Sequence, residues 1–429
     1  MRRRRFLAGL GLATTAGGLA GCTTGFTRDQ PDGDGITLRM TMWTSNPDQI
    51  ALFDEIAEDF MAENEAVTNI EFESLTLDQL DMVLTTGITA GDAPDLTWLP
   101  VESSLEYIDA GALLDTEPTL EATEGYDLDD LVPHLQESWR DGEARYGVPF
   151  STGPLIMYFN QDLYAEAGVK SPAELLAEDD WTWESFRETS KQLTDATGLP
   201  GYVVNDFDFR NWTRLLPLMF SYDASPWNEE ATQCTADSPE MREALGVFHG
   251  MVFEDGSSPV PGRQIDFWGG QAGATSAFLG SSSLLADAAF DWDIVPTPNG
   301  PAGDVQAVGQ SAIVALSAGK HHDAALEFLA FLTNRKNAAR ISRYFPPART
   351  SLLNAEVLAE SSGLLTAEDL EPIVESITTR GRIFPVAPNA ASVANALDSS
   401  LDEFVYRPDA DLDEALPKVC TAIEPVLSL

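Results

Sequence analysis

Apolar and polar positions along the chain change period in a regular order. ITLRMTMW, from Ile36 to Trp43, is a β-rich run. A helix follows it, with Asn46 as N-cap and Pro47 at the first helical position. Ile50, Phe53, Ile56, Ala57, Phe60 and Met61 form its apolar stripe at helical spacing. NIEFESL reads as a second strand, Leu77–Ala90 as a second helix and PDLTWLP as a third strand, and SSLEYIDAG starts a third helix at a serine cap. This βαβαβ order predicts a parallel sheet with helices on both faces. Ligands of such sheets sit at the carboxyl ends of the strands. Trp43 ends the first strand and Trp98 nearly ends the third, so both indoles are candidates for a flat, apolar ligand face.

The middle of the chain, about 150–296, repeats this style with more helix. IMYFN and GYVVND read as strands, and QDLYAEAG, NWTRLLPLMF and SPEMREALGVFHGMVFEDG as helices. In the last of these, Met241, Ala244, Leu245, Phe248, Met251 and Val252 make the buried stripe. Thr182 caps the helix in DDWTWESFRETSKQLT, and the flanking Trp181 and Trp183 read as packing residues. FDWDIVPTPNGPAG and SAIVALS are strands. KHHDAALEFLAFLTNRKNAARISRYF is helical, PPARTSL interrupts it, and helix continues to the C-terminus.

The N-terminus follows another plan. Phe6–Ala20 is too short and glycine-rich to cross a bilayer, which takes about 20 apolar residues. Four arginines precede a short apolar stretch, and Arg3-Arg4-Arg5-Phe6-Leu7 fits the twin-arginine export form RR-x-F-L. Leu19-Ala20-Gly21-Cys22 resembles a lipobox, which makes Cys22 the expected lipid-attachment residue. Residues 1–22 are therefore expected to be a signal peptide and 23–35, TTGFTRDQPDGDG, a polar tether. The expected location is extracytoplasmic, on the outer face of the cell membrane.

Charge narrows the partners. The formal net charge is −44, and removing residues 1–22 takes away four arginines and no acid, deepening it to −48. Such a surface repels nucleic acid and anionic lipid. It suits a protein kept soluble in high salt, and equally a high-GC genome. With 44% hydrophobic residues the chain is nonetheless globular. Its length exceeds one ordinary core and predicts two lobes. Cys234 and Cys420 are expected to be unpaired or buried, with one disulfide open to a chain outside the cell.

Motifs for chemistry are absent: there is no G-x-G-x-x-G, no P-loop and no G-x-S-x-G. His321 and His322 are adjacent and cannot chelate as an i, i+4 pair would. Asp409, Asp411 and Asp413 begin like a calcium loop, but the glycine and the final glutamate are missing, and Asp411 reads as a helix cap. No catalytic residue, metal or cofactor is expected.

YGVPFSTGPLIMYFNQDLYAEAGV, DDWTWESFRETSKQLT and FDWDIVPTPNGPAG…SAIVALSAGKHHDAALEFLAFLT, in this order, resemble the extracellular solute-binding proteins of carbohydrate ABC importers, the maltose-binding-protein-like group. The resemblance runs from about Ile36 to the C-terminus. It implies a two-lobed α/β, periplasmic-binding-protein-like fold of class II type, with a ligand cleft between hinged lobes. The N-lobe would be 36–150 plus 297–346, and the C-lobe 151–296 plus 347–429. It implies a monomeric sugar receptor that serves ABC permease subunits and performs no catalysis. Trp43 and Trp98 become stacking candidates, and Ser45, Asn46 and Glu102 candidates for sugar hydroxyls. Thr152 and Gly153 fall in the first crossover. Asp206, Phe209, Asn211 and Trp212 fall in the next cleft segment, Gly309 and Gln310 before a hinge-side strand, and Arg349 in the second hinge segment. Asn211 also begins a glycosylation sequon whose use the cleft would preclude.

Two departures bear on the ligand. FLGSSSLL carries Ser281 and Ser282 where the family often has an aromatic residue, and PNAASVANALDSSL lacks a tryptophan that some members stack on a second sugar. Both speak against a long maltodextrin-like ligand and for a smaller or more polar solute, with a mono- or oligosaccharide the leading expectation. The same fold binding a polyamine, glycerol phosphate or metal complex is the nearest rival. A cell-surface carbohydrate-active enzyme and a sensory module are the others.

Overall fold

The computed structural model describes residues 35–427. The signal peptide, Cys22 and nearly all of the tether lie outside the described residues.

Eleven strands can be followed among the described residues. β1 (Ile36–Met42), β2 (Val67–Ser74) and β3 (Leu96–Pro100) come first, and β4 (Arg140–Asp141) and β5 (Ala144–Arg145) form a small hairpin. β6 (Val148–Asn160), β7 (Tyr202–Val204), β8 (Ala274–Phe278), β9 (Trp292–Val295), β10 (Ala307–Ala315) and β11 (Arg382–Ile383) complete the set. The main sheet runs β2-β1-β3-β10-β6-β8-β7. β1 pairs parallel with β2 and β3, as the βαβαβ pattern predicts. β10 is inserted antiparallel between β3 and β6, so the sheet is mixed.

β6 shows how two lobes arise from one chain. Up to Pro154 it pairs with β10; from Leu155 onward it pairs with β8 and β9. One thirteen-residue strand thus belongs to both halves of the main sheet. β10 brings the chain back beside β6, and β11 returns once more to pair with the start of β10.

The capping chemistry acts where the sequence puts it. The Asn46 side chain accepts from the Asp48 and Gln49 N–H groups and starts helix Pro47–Glu63, whose Phe53, Ile56, Ala57 and Phe60 are buried. Thr182 and Ser185 form a reciprocal capping box at helix Trp183–Thr197. Trp181 and Trp183 are both buried, and the Trp181 indole donates to the Pro296 carbonyl at 2.8 Å. The stripe on helix Pro239–Phe253 is buried as expected. Asp411 accepts from the Asp413 N–H ahead of the sixteen-residue helix Leu412–Leu427.

Three local expectations change. After β3 the chain forms a 3-10 turn, Val101–Ser103, before the short helix Ser104–Asp109, with no side-chain cap bond from Ser103. NWTRLLPLMF likewise begins as a 3-10 turn, Trp212–Leu215, and becomes α-helical only over Leu216–Ser221. The two remaining cysteines are joined: Cys234 and Cys420 form a disulfide, with Cα atoms 5.4 Å apart, that ties a loop to the C-terminal helix. Both are buried, so burial and pairing occur together rather than as alternatives.

Candidate ligand cleft

A cavity of about 780 Å³ opens where the strands of the two sheets meet. One side is built by Trp43 after β1, Pro100 at the end of β3, Glu102 and Ser103 just beyond it, and Leu77 and Asp81 on helix Leu77–Ala90. The opposite side is built by Asn211–Arg214, Trp227, Phe278, and Gly280, Ser281, Ser283 and Leu284. Ser151 and Gly153 of β6 and Gly309–Ser311 of β10 form the floor. Tyr344–Pro346, Phe384 and the small residues Ala390, Ala391 and Ala394, with Asp398, close the remaining wall.

The floor depends on two glycines. Gly153 and Gly309 are register partners on β6 and β10. A Cβ on Gly309 would come within 2.8 Å of the Phe278 ring, and one on Gly153 within 3.2 Å. Their bare backbones let Phe278 lie across the strand pair, tilted 30° to Phe384. The Arg214 guanidinium then sits 4.5 Å over the Phe278 ring. Its carboxylate neighbours are Asp206, at 3.9 Å, and Glu102 from the other side of the cleft. Burial lowers the Arg214 pKa from its ordinary value, opposed by these two carboxylates. Its Nε–H is buried without a partner, as is the Trp43 indole N–H.

Among the described residues the cleft acids share one lining cation, Arg214. Burial raises Glu102 above the usual carboxylate range, with Arg214 the opposing charge. Burial also raises Asp81. Asp398 is pushed up to about 6 by burial, opposed only by the hydrogen bond it accepts from the Trp212 N–H at 3.0 Å.

Of the residues singled out in the sequence, Trp43, Glu102, Gly153, Asn211, Trp212, Ser281, Gly309 and Gln310 border this cleft. The Gln310 amide is already engaged: its oxygen accepts from the Trp139 indole at 2.6 Å and its nitrogen donates to the Leu135 carbonyl at 2.9 Å. Asn211 accepts from the Thr213 hydroxyl at 2.7 Å. Trp212 is 3% exposed and packs edge-on against Trp227 at 5.3 Å, so it belongs to the core as well as to the wall.

The other positions lie elsewhere. Trp98 is fully buried among Phe53, Phe150 and Phe345, beneath Trp43. Strand alternation turns Thr152 away from the face used by Ser151 and Gly153, and it is also fully buried. Ser45 is exposed outside the cavity, and Asn46 is occupied as a cap. Ser282 is buried between the lining residues Ser281 and Ser283. Asp206 and Phe209 line a separate cavity of about 450 Å³. Arg349 is 2% exposed and is held by Asp130 and by the carbonyls of Tyr126, Asp127 and Thr333, which makes it an internal brace. Sequence reasoning missed Arg214, Trp227, Phe278, Tyr344 and Asp398. Arg214 lies two residues past the recognised Trp212, and that proximity was the one available signal.

Residues 44–339, well over half of the chain, match the family described as bacterial extracellular solute-binding protein. An ABC substrate-binding protein of Listeria monocytogenes, solved with cycloalternan, superposes with a TM-score of 0.79 at 21% identity, covering 92% of this chain and all of that one. An arabinooligosaccharide-binding protein of Halalkalibacterium halodurans is 23% identical over 92% of this chain and 90% of its own length. A Streptomyces antibioticus protein described as an uncharacterized lipoprotein is 25% identical over 76% of this chain and 72% of its own.

Proposed function

The chain belongs to the bacterial extracellular solute-binding proteins, and from that premise we propose that it captures a mono- or short oligosaccharide outside the cell and delivers it to the membrane permease of an ABC importer. The observation that carries this reading is the composition of the cleft. Aromatic surface from the half-buried Trp43 and Tyr344, with the buried Trp212 and Trp227 backing the wall, adjoins polar groups from Glu102, Asn211, Arg214, Ser281 and Asp398. A pyranose has the matching anatomy, with apolar C–H faces and an equator of hydroxyls. The buried, unpartnered N–H groups of Trp43 and Arg214 are donors suited to sugar oxygens. The relatives' names, which include a cycloalternan complex and an arabinooligosaccharide-binding protein, support the same class of ligand.

In this reading β6, the return through β10 and the segment at β11 act as the hinge, and the lobes, 36–150 plus 297–346 and 151–296 plus 347–429, close over the sugar. The protein performs no catalysis and acts as a monomer. Cys22 carries the lipid anchor after twin-arginine export, a reading supported by the N-terminal pattern and by the relative described as a lipoprotein.

A panel of neutral mono- and disaccharides, read by tryptophan fluorescence and thermal shift on the mature chain, tests the proposal. A sugar that shifts both signals without being turned over supports it. No response to any sugar overturns it, and release of new reducing ends would make the protein a hydrolase instead. Cys22→Ala is expected to release the protein from membranes into the medium; retention would refute the anchor.

A further inference from the structure

The cleft carries an uncompensated charge. Asp81, Glu102 and Asp398 reach it from three separate segments, and Arg214 is the one cation among the described lining residues. The charge of Arg214 is opposed by Asp206, at 3.9 Å, and by Glu102, while its Nε–H stays free to donate to a sugar oxygen. Asp398 has one hydrogen-bond partner, the Trp212 N–H, so most of its acceptor capacity is unused. Among the described residues no cation offsets the burial of Asp398, which is half-buried, and Asp81 lines the cavity as an exposed carboxylate.

A carboxylate held half out of water without a counter-charge is unfavourable, and an arriving cation relieves that penalty. A neutral hydroxyl offers a dipole only. Charge-assisted hydrogen bonds are roughly twice as strong as neutral ones. The half-buried rings of Trp43 and Tyr344 add aromatic surface that attracts cations, as Phe278 already holds the Arg214 guanidinium. The net charge of −44 enriches cations around the whole molecule. A carboxylated or phosphorylated sugar meets like charge on every one of these terms.

We propose that the cleft prefers saccharides bearing a protonated amine, with Asp398 and Asp81 as counter-charges, over their neutral or anionic counterparts. This rests on the sugar reading and refines it. The test uses the β-1,4-linked glucosamine disaccharide, its N-acetylated form, cellobiose and a uronate-bearing disaccharide, titrated calorimetrically at low salt and in about 1 M salt. The amine disaccharide is expected to bind about tenfold or more tighter than cellobiose, with the preference shrinking in high salt and the uronate weakest. In Asp81→Asn/Asp398→Asn the ratio of amine to cellobiose affinity, both measured on the variant, is expected to fall several-fold, whatever the variant's affinity for cellobiose itself. Cellobiose binding as tightly as the amine overturns the charge preference and leaves the sugar reading standing. A preference unchanged in the double variant assigns it to the general surface field and overturns the role of these two residues. Binding of no saccharide in the set overturns the sugar reading and this inference together.

Discussion

Trp98 stands edge-on beneath Trp43, with ring centroids 5.6 Å apart and planes at 86°. The two indoles, which look equivalent at the ends of neighbouring strands, do different work. Trp98 is fully enclosed by Phe53, Phe150 and Phe345, and Trp43 rests on it and borders the cleft.

Truncating each indole separates the roles. Trp98→Ala removes a fully buried ring and is expected to lower stability by about 3–5 kcal/mol. Trp43→Ala, at a half-buried position, is expected to destabilise far less and to weaken ligand binding. Urea unfolding with a fluorescence titration checks both. Equal stability losses in the two variants would refute the division.

Gly309 is set by its neighbours. Its Cβ would meet Phe278 Cε1 at 2.8 Å, Cζ at 3.0 Å and Phe384 Cε2 at 3.3 Å. Gly309→Ala therefore overpacks the floor and is expected to lower stability by about 1–3 kcal/mol and to weaken binding, because Phe278 supports Arg214. Adding Phe278→Leu relieves the clash, so the double variant is expected to be more stable than the sum of the singles predicts. Strict additivity would show that the ring does not set this glycine.

The Cys234–Cys420 disulfide closes a long loop and sits beside a cleft residue, since Trp227 is bridged to Cys234. Cys420→Ser, or reduction, is expected to lower stability by roughly 2–5 kcal/mol. Trp227, which also donates to the Val386 carbonyl at 2.8 Å, is expected to lose part of its restraint. Ligand affinity measured with and without reductant reports that loss, and an unchanged unfolding midpoint would refute the structural role.

What the sequence discloses is governed by range. Helix ends were legible because caps are local: Asn46 and Thr182 bond groups two or three residues away. The faces of strands were not, because LTWLP, its one hydroxyl residue Thr97 included, is buried on both faces and contains no polar–apolar alternation to show which way Trp98 points. Arg349 and Gln310 looked available to a ligand, yet several of their partners, such as Asp130 and Leu135, lie more than 170 positions away. Asp398 is one of 69 acids, and nothing local separates it from the rest until the fold lays its helix along the cleft.

The partial burial of Asp398 predicts a pH effect of definite sign. Its folded pKa of about 6 lies above the ordinary carboxyl value of 3.8. The folded protein therefore binds this proton more tightly than the unfolded chain does. The contribution is fully present below about pH 4 and is lost as pH rises through about 6, so at pH 8 the ionised group weighs against folding. Asp398→Asn keeps an oxygen to accept the Trp212 N–H and carries no charge. It is expected to be more stable than the natural protein at pH 8, by no more than about 1 kcal/mol because the group is partly solvated. The gap should close toward pH 4. Tyr406, whose pKa burial and the charges of Asp398 and Asp402 hold up, stays neutral over this range and does not blur the reading. Urea midpoints at several pH values measure the difference, and a variant no more stable than the natural chain at pH 8 would sink the account. Because the same ionised carboxylate is a counter-charge for a bound amine, a ligand of that kind should pull its pKa back down and stabilise the natural protein more than the variant.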